Sequence, residues 1–167
     1  MARKSTIAAL SAVALIVAAT PLVAATSRTR RAATPPPPTP AEIIRTRIAG
    51  YREMGAAFKN INDGLRASEP QMVLIQQSAR TIKAASQAQY RWFPAGSGAA
   101  PGVKTQAKPE IWSKHAEFRA AQDALARAAA ALETAAMSGN VDAIRAASRG
   151  LGGACKGCHD PFRVPPT

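Results

Sequence analysis

The sequence predicts an all-α protein, an antiparallel four-helix bundle, and three observations predict it. Apolar residues recur at alternating steps of three and four along four segments, and no segment alternates with the period of two that marks a strand. Of the 167 residues, 47% are hydrophobic but only 5% aromatic, and much of the apolar fraction is alanine, which favours helices in close contact. Without an N-terminal export segment the chain still has the length of one compact domain with its own core, expected over residues 41–167.

The first helix is specified at its start. Thr39-Pro40-Ala41-Glu42 places a capping threonine, a proline at the first helical position and a glutamate three residues after the cap. Ile44, Ile48, Tyr51, Gly55 and Phe58 then share a face, and the helix is expected to run to about Asn62, where Asp63-Gly64 ends or interrupts it. Ser68-Glu69-Pro70-Gln71 repeats the capping-box pattern and opens a second helix with Val73, Leu74, Ile82 and Ala85 inward, closed by Trp92-Phe93-Pro94. Residues 94–109, rich in Gly, Pro and Ser, form the one long connection, a length that fits a crossing path or a functional rim.

Pro109 begins the third helix, whose stripe is Ile111, His115, Phe118, Gln122, Leu125, Ala129, Leu132 and Ala136. His115 on that stripe reads as a partly buried structural histidine. Asn140 caps the fourth helix, where Ile144, Ser148, Leu151, Cys155, Cys158 and Phe162 repeat the spacing and turn both cysteines into the bundle.

Ahead of the bundle, Arg3-Lys4 precedes the apolar run Ile7 to Ala19, the order of a secretory signal, with Val23-Ala24-Ala25 offering small residues for cleavage over residues 1–25. Pro21 and the basic residues Arg28 to Arg31 leave an uncleaved anchor to the inner membrane, residues 7–25, as the alternative. Residues 26–40 form a basic, proline-rich, disordered linker, extended at Pro35 to Pro38. Either way the folded part is expected outside the cytoplasm, in the periplasm; a membrane is a partner only if the segment is uncleaved.

The formal charge of +12 raises nucleic acid as a partner. The basic residues are scattered, with no basic helix face or aromatic-interleaved groove, so nucleic acid is not expected.

The chemistry concentrates at Cys155-Lys156-Gly157-Cys158-His159. Thiols three residues apart on a helix reach the two vinyl groups of a haem while the adjacent imidazole meets the iron. A zinc site would need every Cys and His in the chain, His115 included. A thioredoxin-like pair sits at the head of a helix after a strand, and cysteines three apart on a regular helix are poorly placed to bridge. One covalent haem c near the C-terminus, attached outside the cytoplasm, is the reading that fits.

With these residues in view, the chain resembles the cytochrome c′ family over roughly residues 41–163. The resemblance rests on Gly152 to Asp160 around the motif, on Pro109-Glu110-Ile111-Trp112-Ser113, on Arg47, Tyr51, Met54-Gly55 and Phe58, and on Phe93-Pro94-Ala95-Gly96. It implies that His159 is the only protein ligand to iron, that Tyr51 closes the opposite face, and that Arg47 lies by the haem propionates. It also implies that Arg163 packs beside His159 and that Thr105 and Gln106 border the haem edge. Pro161 departs from the pattern: it removes a backbone donor in the last turn, where a kink or stop is expected, and puts the place of Arg163 in question.

The function expected is that of a high-spin haem protein binding a small gas, nitric oxide or carbon monoxide, or passing single electrons to an unidentified redox partner. No carboxylate pair, nucleophile with its base or phosphate loop points to an enzyme. The alternative is a six-coordinate low-spin electron carrier with Met54, Met72 or His115 as second axial ligand. The resemblance further implies a possible homodimer through the first two helices.

Overall fold

Residues 36–165 are described by the computed structural model. The helices are α1 (Pro40–Arg66), α2 (Met72–Ala88), a short α3 (Glu110–Ser113), α4 (His115–Ser138) and α5 (Val141–Phe162), with a 3-10 turn, Gln89–Arg91, prolonging α2. Among the described residues there is no strand; two isolated bridges, Ala100 to Val103 and Ala107 to Arg163, pin the long loop. The signal or anchor expected over residues 1–25, and most of the linker expected over 26–40, lie outside the described residues. Among the described residues no helix is long and apolar enough to cross a membrane.

The capping box at Thr39 forms as its spacing requires. Glu42 N donates to the Thr39 hydroxyl at 3.3 Å while Thr39 N donates to the Glu42 carboxylate at 2.7 Å. These bonds, the backbone one foremost, hold the Glu42 carboxyl below its usual value. The buried face of α1 is Ile44, Arg47, Met54, Ala57, Ile61 and Leu65. It is rotated from the expected one, leaving Ile48 at the margin and Gly55 in solvent. The helix runs through Asp63-Gly64 to Arg66. Gly64 is buried, and a Cβ there would lie 3.1 Å from Ile75 Cγ1, so the glycine admits α2 rather than ending α1.

The second expected capping box does not form. α2 begins at Met72 behind Gln71, which makes no side-chain cap. The turn is closed by the backbone instead, with Gln71 N donating to Gly64 O at 3.2 Å. The buried stripe of α2 is Ile75, Ser78, Ala79, Ile82, Ala85 and Ser86. Val73 falls outside that phase and is 70% exposed, against the inward place expected for it.

The third helix is broken. Lys114, at φ −111° and ψ 50°, separates α3 from α4, so the stripe that reads through His115 starts only at Phe118. His115 is exposed, which corrects the expectation of a partly buried residue. From Phe118 to Ala136 the buried residues are those the spacing predicts. Gly139 closes α4 with φ 73°, and the Asn140 side chain accepts from Ala143 N at 3.0 Å to open α5. Pro161 lies in the last turn of α5, and the helix stops one residue later, at Phe162.

The bundle is stitched in sequence order: α1 on α2, α2 on α4, α4 on α5. Ile61, Ile75, Ile82, Leu132, Ile144 and Leu151 form its main core, each about 1% exposed or less. Burial of a side chain of this kind contributes about 1.5–3 kcal/mol. A smaller cluster of Ile111, Phe118 and Phe162 fills the end that carries the motif. By contrast, α1 and α5 meet at few points. Along part of their length a cleft of about 700 Å³ separates them, lined by Phe58, Asn62 and Leu65 on one side and Ser148, Arg149 and Gly152 on the other.

Candidate functional site

The period of α5 brings Cys155 and Cys158 to one side of the helix, half-buried and unbridged. Cys155 packs against the main core and Cys158 against the smaller cluster, so the pair spans the junction between them. Burial pushes both thiols up, Cys158 to about 11. They are protonated at neutral pH. His159 follows on the exposed side. Desolvation of its ring, then the neighbouring Arg163, hold its imidazole below the usual value, against the opposing pull of Asp160. It is neutral near pH 7, the form that can ligate a metal.

Tyr51 stands opposite, on α1. Its phenol is buried enough to be pushed well above its ordinary value, and Cys158 and Cys155 add to that rise while Arg47 opposes it. Trp92 backs the ring edge-on, with centroids 5.0 Å apart, and the hydroxyl donates to Gln89 Oε1 at 3.0 Å.

One helical turn before Tyr51, Arg47 is 2% exposed. Its guanidinium donates to Ser97 O at 2.7 Å and Thr105 Oγ1 at 3.0 Å, and lies 5.1 Å from the Phe93 ring centroid and 5.7 Å from that of Trp112. Burial lowers its pKa, yet a guanidinium stays charged in proteins. Among the described residues no carboxylate pairs with it, and a buried charge without a counter-charge is costly. Two free thiols on one helix side, an imidazole beside them and an uncompensated cation across from them fit a haem with its vinyl groups, iron and carboxylates.

The long loop is tied to the end of α5. Gln106 Oε1 accepts from Arg163 Nε at 3.0 Å, Gln106 O accepts from Val164 N at 2.8 Å, and Phe162 O accepts from Lys108 N at 3.0 Å. Thus Arg47 meets Thr105 while Arg163 meets Gln106, and the loop joins the first helix to the last. Arg163 lies just beyond the helix in extended backbone and still acts electrostatically on His159, so the end of α5 at Phe162 does not remove it from the site.

The candidate second ligands scatter. Met72 opens α2, at the other end from Gln89 and hence from Tyr51; His115 is exposed; Met54 is buried in the main core one turn from Tyr51. Among the described residues no three His, Cys, Asp or Glu are grouped to hold a metal ion, so the zinc reading finds no site.

Sequence reasoning missed Ser97 and Gln89, and it placed Gln122 on the inward stripe without assigning it a partner. Ser97 is fully buried and follows the quoted Phe93 to Gly96 turn directly, but nothing marks a serine in a Gly/Ser-rich loop as an acceptor for a distant arginine. Gln89 Nε2 donates to Ser86 O at 3.0 Å and Gln122 O at 3.2 Å, and Gln122 Nε2 donates to Gln89 O at 3.3 Å.

The chain is similar to known proteins over most of the described residues. Residues 42–163 match a family model described as Cytochrome C′. A cytochrome c′ of Pararhodospirillum photometricum is 32% identical over 75% of this chain and 98% of its own length. The crystal structure of cytochrome c′ from Thermochromatium tepidum superposes with a TM-score of 0.73 at 29% identity, covering 77% of this chain and 98% of that one. A nitric oxide complex of a mutant cytochrome c′ from Alcaligenes xylosoxidans superposes with a TM-score of 0.68 at 27% identity, covering 76% and 98%.

Proposed function

The chain belongs to the cytochrome c′ family, and from that premise we propose a periplasmic, high-spin haem protein that binds a small gas, nitric oxide or carbon monoxide, and exchanges single electrons. The cofactor is one haem c, bonded covalently through Cys155 and Cys158. When bound it would supply an iron with a one-electron couple and an affinity for small gases. His159 would hold the iron through its neutral imidazole. Arg47 would supply the counter-charge for the propionate carboxylates, with Thr105 orienting the guanidinium. Gln106 and Arg163 close the rim beside His159.

The observation that carries the gas-binding reading is the geometry of Tyr51: its hydroxyl is already engaged as a donor to Gln89 Oε1 at 3.0 Å, and Trp92 backs its ring with centroids 5.0 Å apart. Tyr51 crowds the distal side without claiming the iron. The solved relative that holds nitric oxide supports a gas as the ligand. Reversible binding and electron exchange, not turnover, are the activities proposed. A six-coordinate carrier would need Met54 to leave the core, since Met72 and His115 are out of position.

Absorption and EPR spectra of the ferric protein test this reading, with carbon monoxide titration after reduction. High-spin iron and carbon monoxide uptake are expected; a low-spin spectrum with no uptake would reject it. Export is tested by the mass of the mature protein in a periplasmic fraction, expected to begin after Ala25. A homodimer through α1 and α2 is proposed from the family and from exposed Val73 on α2, and sedimentation of wild type against Val73→Lys tests it.

A further inference from the structure

The Tyr51 hydroxyl is not simply tucked into the core. Its acceptor, Gln89, is 1% exposed and sits in the 3-10 turn that ends α2. Both hydrogens of the Gln89 amide are already spent, one on Ser86 O and one on Gln122 O. That fixes which way the amide faces: nitrogen toward α4, oxygen toward Tyr51. Gln122, itself 5% exposed, returns a bond to the Gln89 backbone and locks the pair. Trp92 limits the ring from behind, and it is held there tightly enough that a Cβ on Gly50 would fall 2.2 Å from its ring. Two helices other than its own therefore set the position of the Tyr51 ring.

We propose that Gln89 is a positioning residue, a latch whose side-chain oxygen holds Tyr51 over the distal side and which a gas ligand must open. The inference rests on the gas-binding reading above. For a ligand to enter on that side, Tyr51 has to swing aside, and its hydroxyl then parts from Gln89. The oxygen left behind is buried, and its amide is not free to turn to another donor. Closing the latch opposes ligand binding by the net worth of one hydrogen bond, about a fivefold to tenfold penalty in affinity. Ligand affinity is thereby coupled to the α2–α4 contact through Gln122.

The test is a double-mutant cycle on carbon monoxide affinity of the ferrous holoprotein, with wild type, Tyr51→Phe, Gln89→Met and the double variant. Each single variant is expected to gain about fivefold to tenfold, and the double variant no more than Tyr51→Phe alone. Independent gains that multiply in the double variant overturn the latch, as does an unchanged affinity in Tyr51→Phe. A second readout does not depend on Gln89→Met folding: the tyrosine bands in ultraviolet resonance Raman of wild type. They should lose their hydrogen-bonded signature when carbon monoxide binds, and retention of that signature overturns the proposal. A wild type that takes up no carbon monoxide rejects the gas-binding reading itself, whereas uptake with multiplying gains rejects only the latch.

Discussion

Arg47 places its Nη1 2.7 Å from the carbonyl oxygen of Ser97, a residue with no exposed surface. A loop carbonyl and two hydroxyls orient the guanidinium but leave its charge unpaired, which is why a propionate is its natural partner. Arg47→Leu should lower the reduction potential by several tens of millivolts, because removing a positive charge favours the more positive ferric state. One unit charge at about 10 Å and an effective dielectric near 20 is worth roughly 1–2 kcal/mol. Potentiometric titration reads it, and an unchanged potential would place the guanidinium away from the haem.

Gly50 and Gly55 lie five residues apart on α1 with opposite surroundings. A Cβ on Gly50 meets Trp92 Cη2 at 2.2 Å, whereas one on Gly55 meets nothing within 4 Å among the described residues. Gly50→Ala should destabilise by about 2 kcal/mol through overpacking. Gly55→Ala should stabilise by about 0.5–1 kcal/mol through helix propensity. Urea unfolding of the two variants checks the contrast.

Ser148 Oγ is buried at the cleft between α1 and α5 with no hydrogen-bond partner among the described residues. Ser148→Ala removes an unsatisfied polar atom and should raise stability by about 1 kcal/mol, or about 4 °C in Tm. A lowered Tm would mean that the hydroxyl has a partner after all.

The raised Tyr51 phenol makes stability fall in alkali. The folded protein keeps the proton above the usual tyrosine value near 10, while the unfolded chain gives it up. Stability is then intact below about pH 10 and declines above it, by up to about 1.4 kcal/mol per pH unit, until the folded phenol itself ionises. The gap between urea midpoints at pH 9 and 11 should narrow in Tyr51→Phe. Tyr90→Phe should narrow it as well, since burial and its bond to Asp123 raise that phenol too, and the double variant should narrow it furthest.

The features legible in the sequence were those written in local spacing. The Thr39 cap, the Phe118 to Ala136 stripe and the cysteine pair each depend on residues within a turn or two of one another. Gly64 misled because a glycine reads as a stop unless the neighbouring helix is known, and here Ile75 presses on it. His115 misled because a heptad stripe runs smoothly across Lys114, where the backbone does not. Arg47, Thr105, Gln106 and Arg163 were singled out only through the family resemblance, and that resemblance did not pair Arg47 with Thr105 or Arg163 with Gln106. The Gln89 to Gln122 exchange had no such guide: it joins residues 33 apart, each ordinary in its own helix.

The sparse seam between α1 and α5 leaves the helices joined as a chain of neighbours rather than a closed ring: α1 is held mainly by α2, α2 by α4 and α4 by α5. The helix that carries Cys155 and Cys158 is therefore braced chiefly by α4, and the wall that carries Tyr51 and Arg47 chiefly by α2.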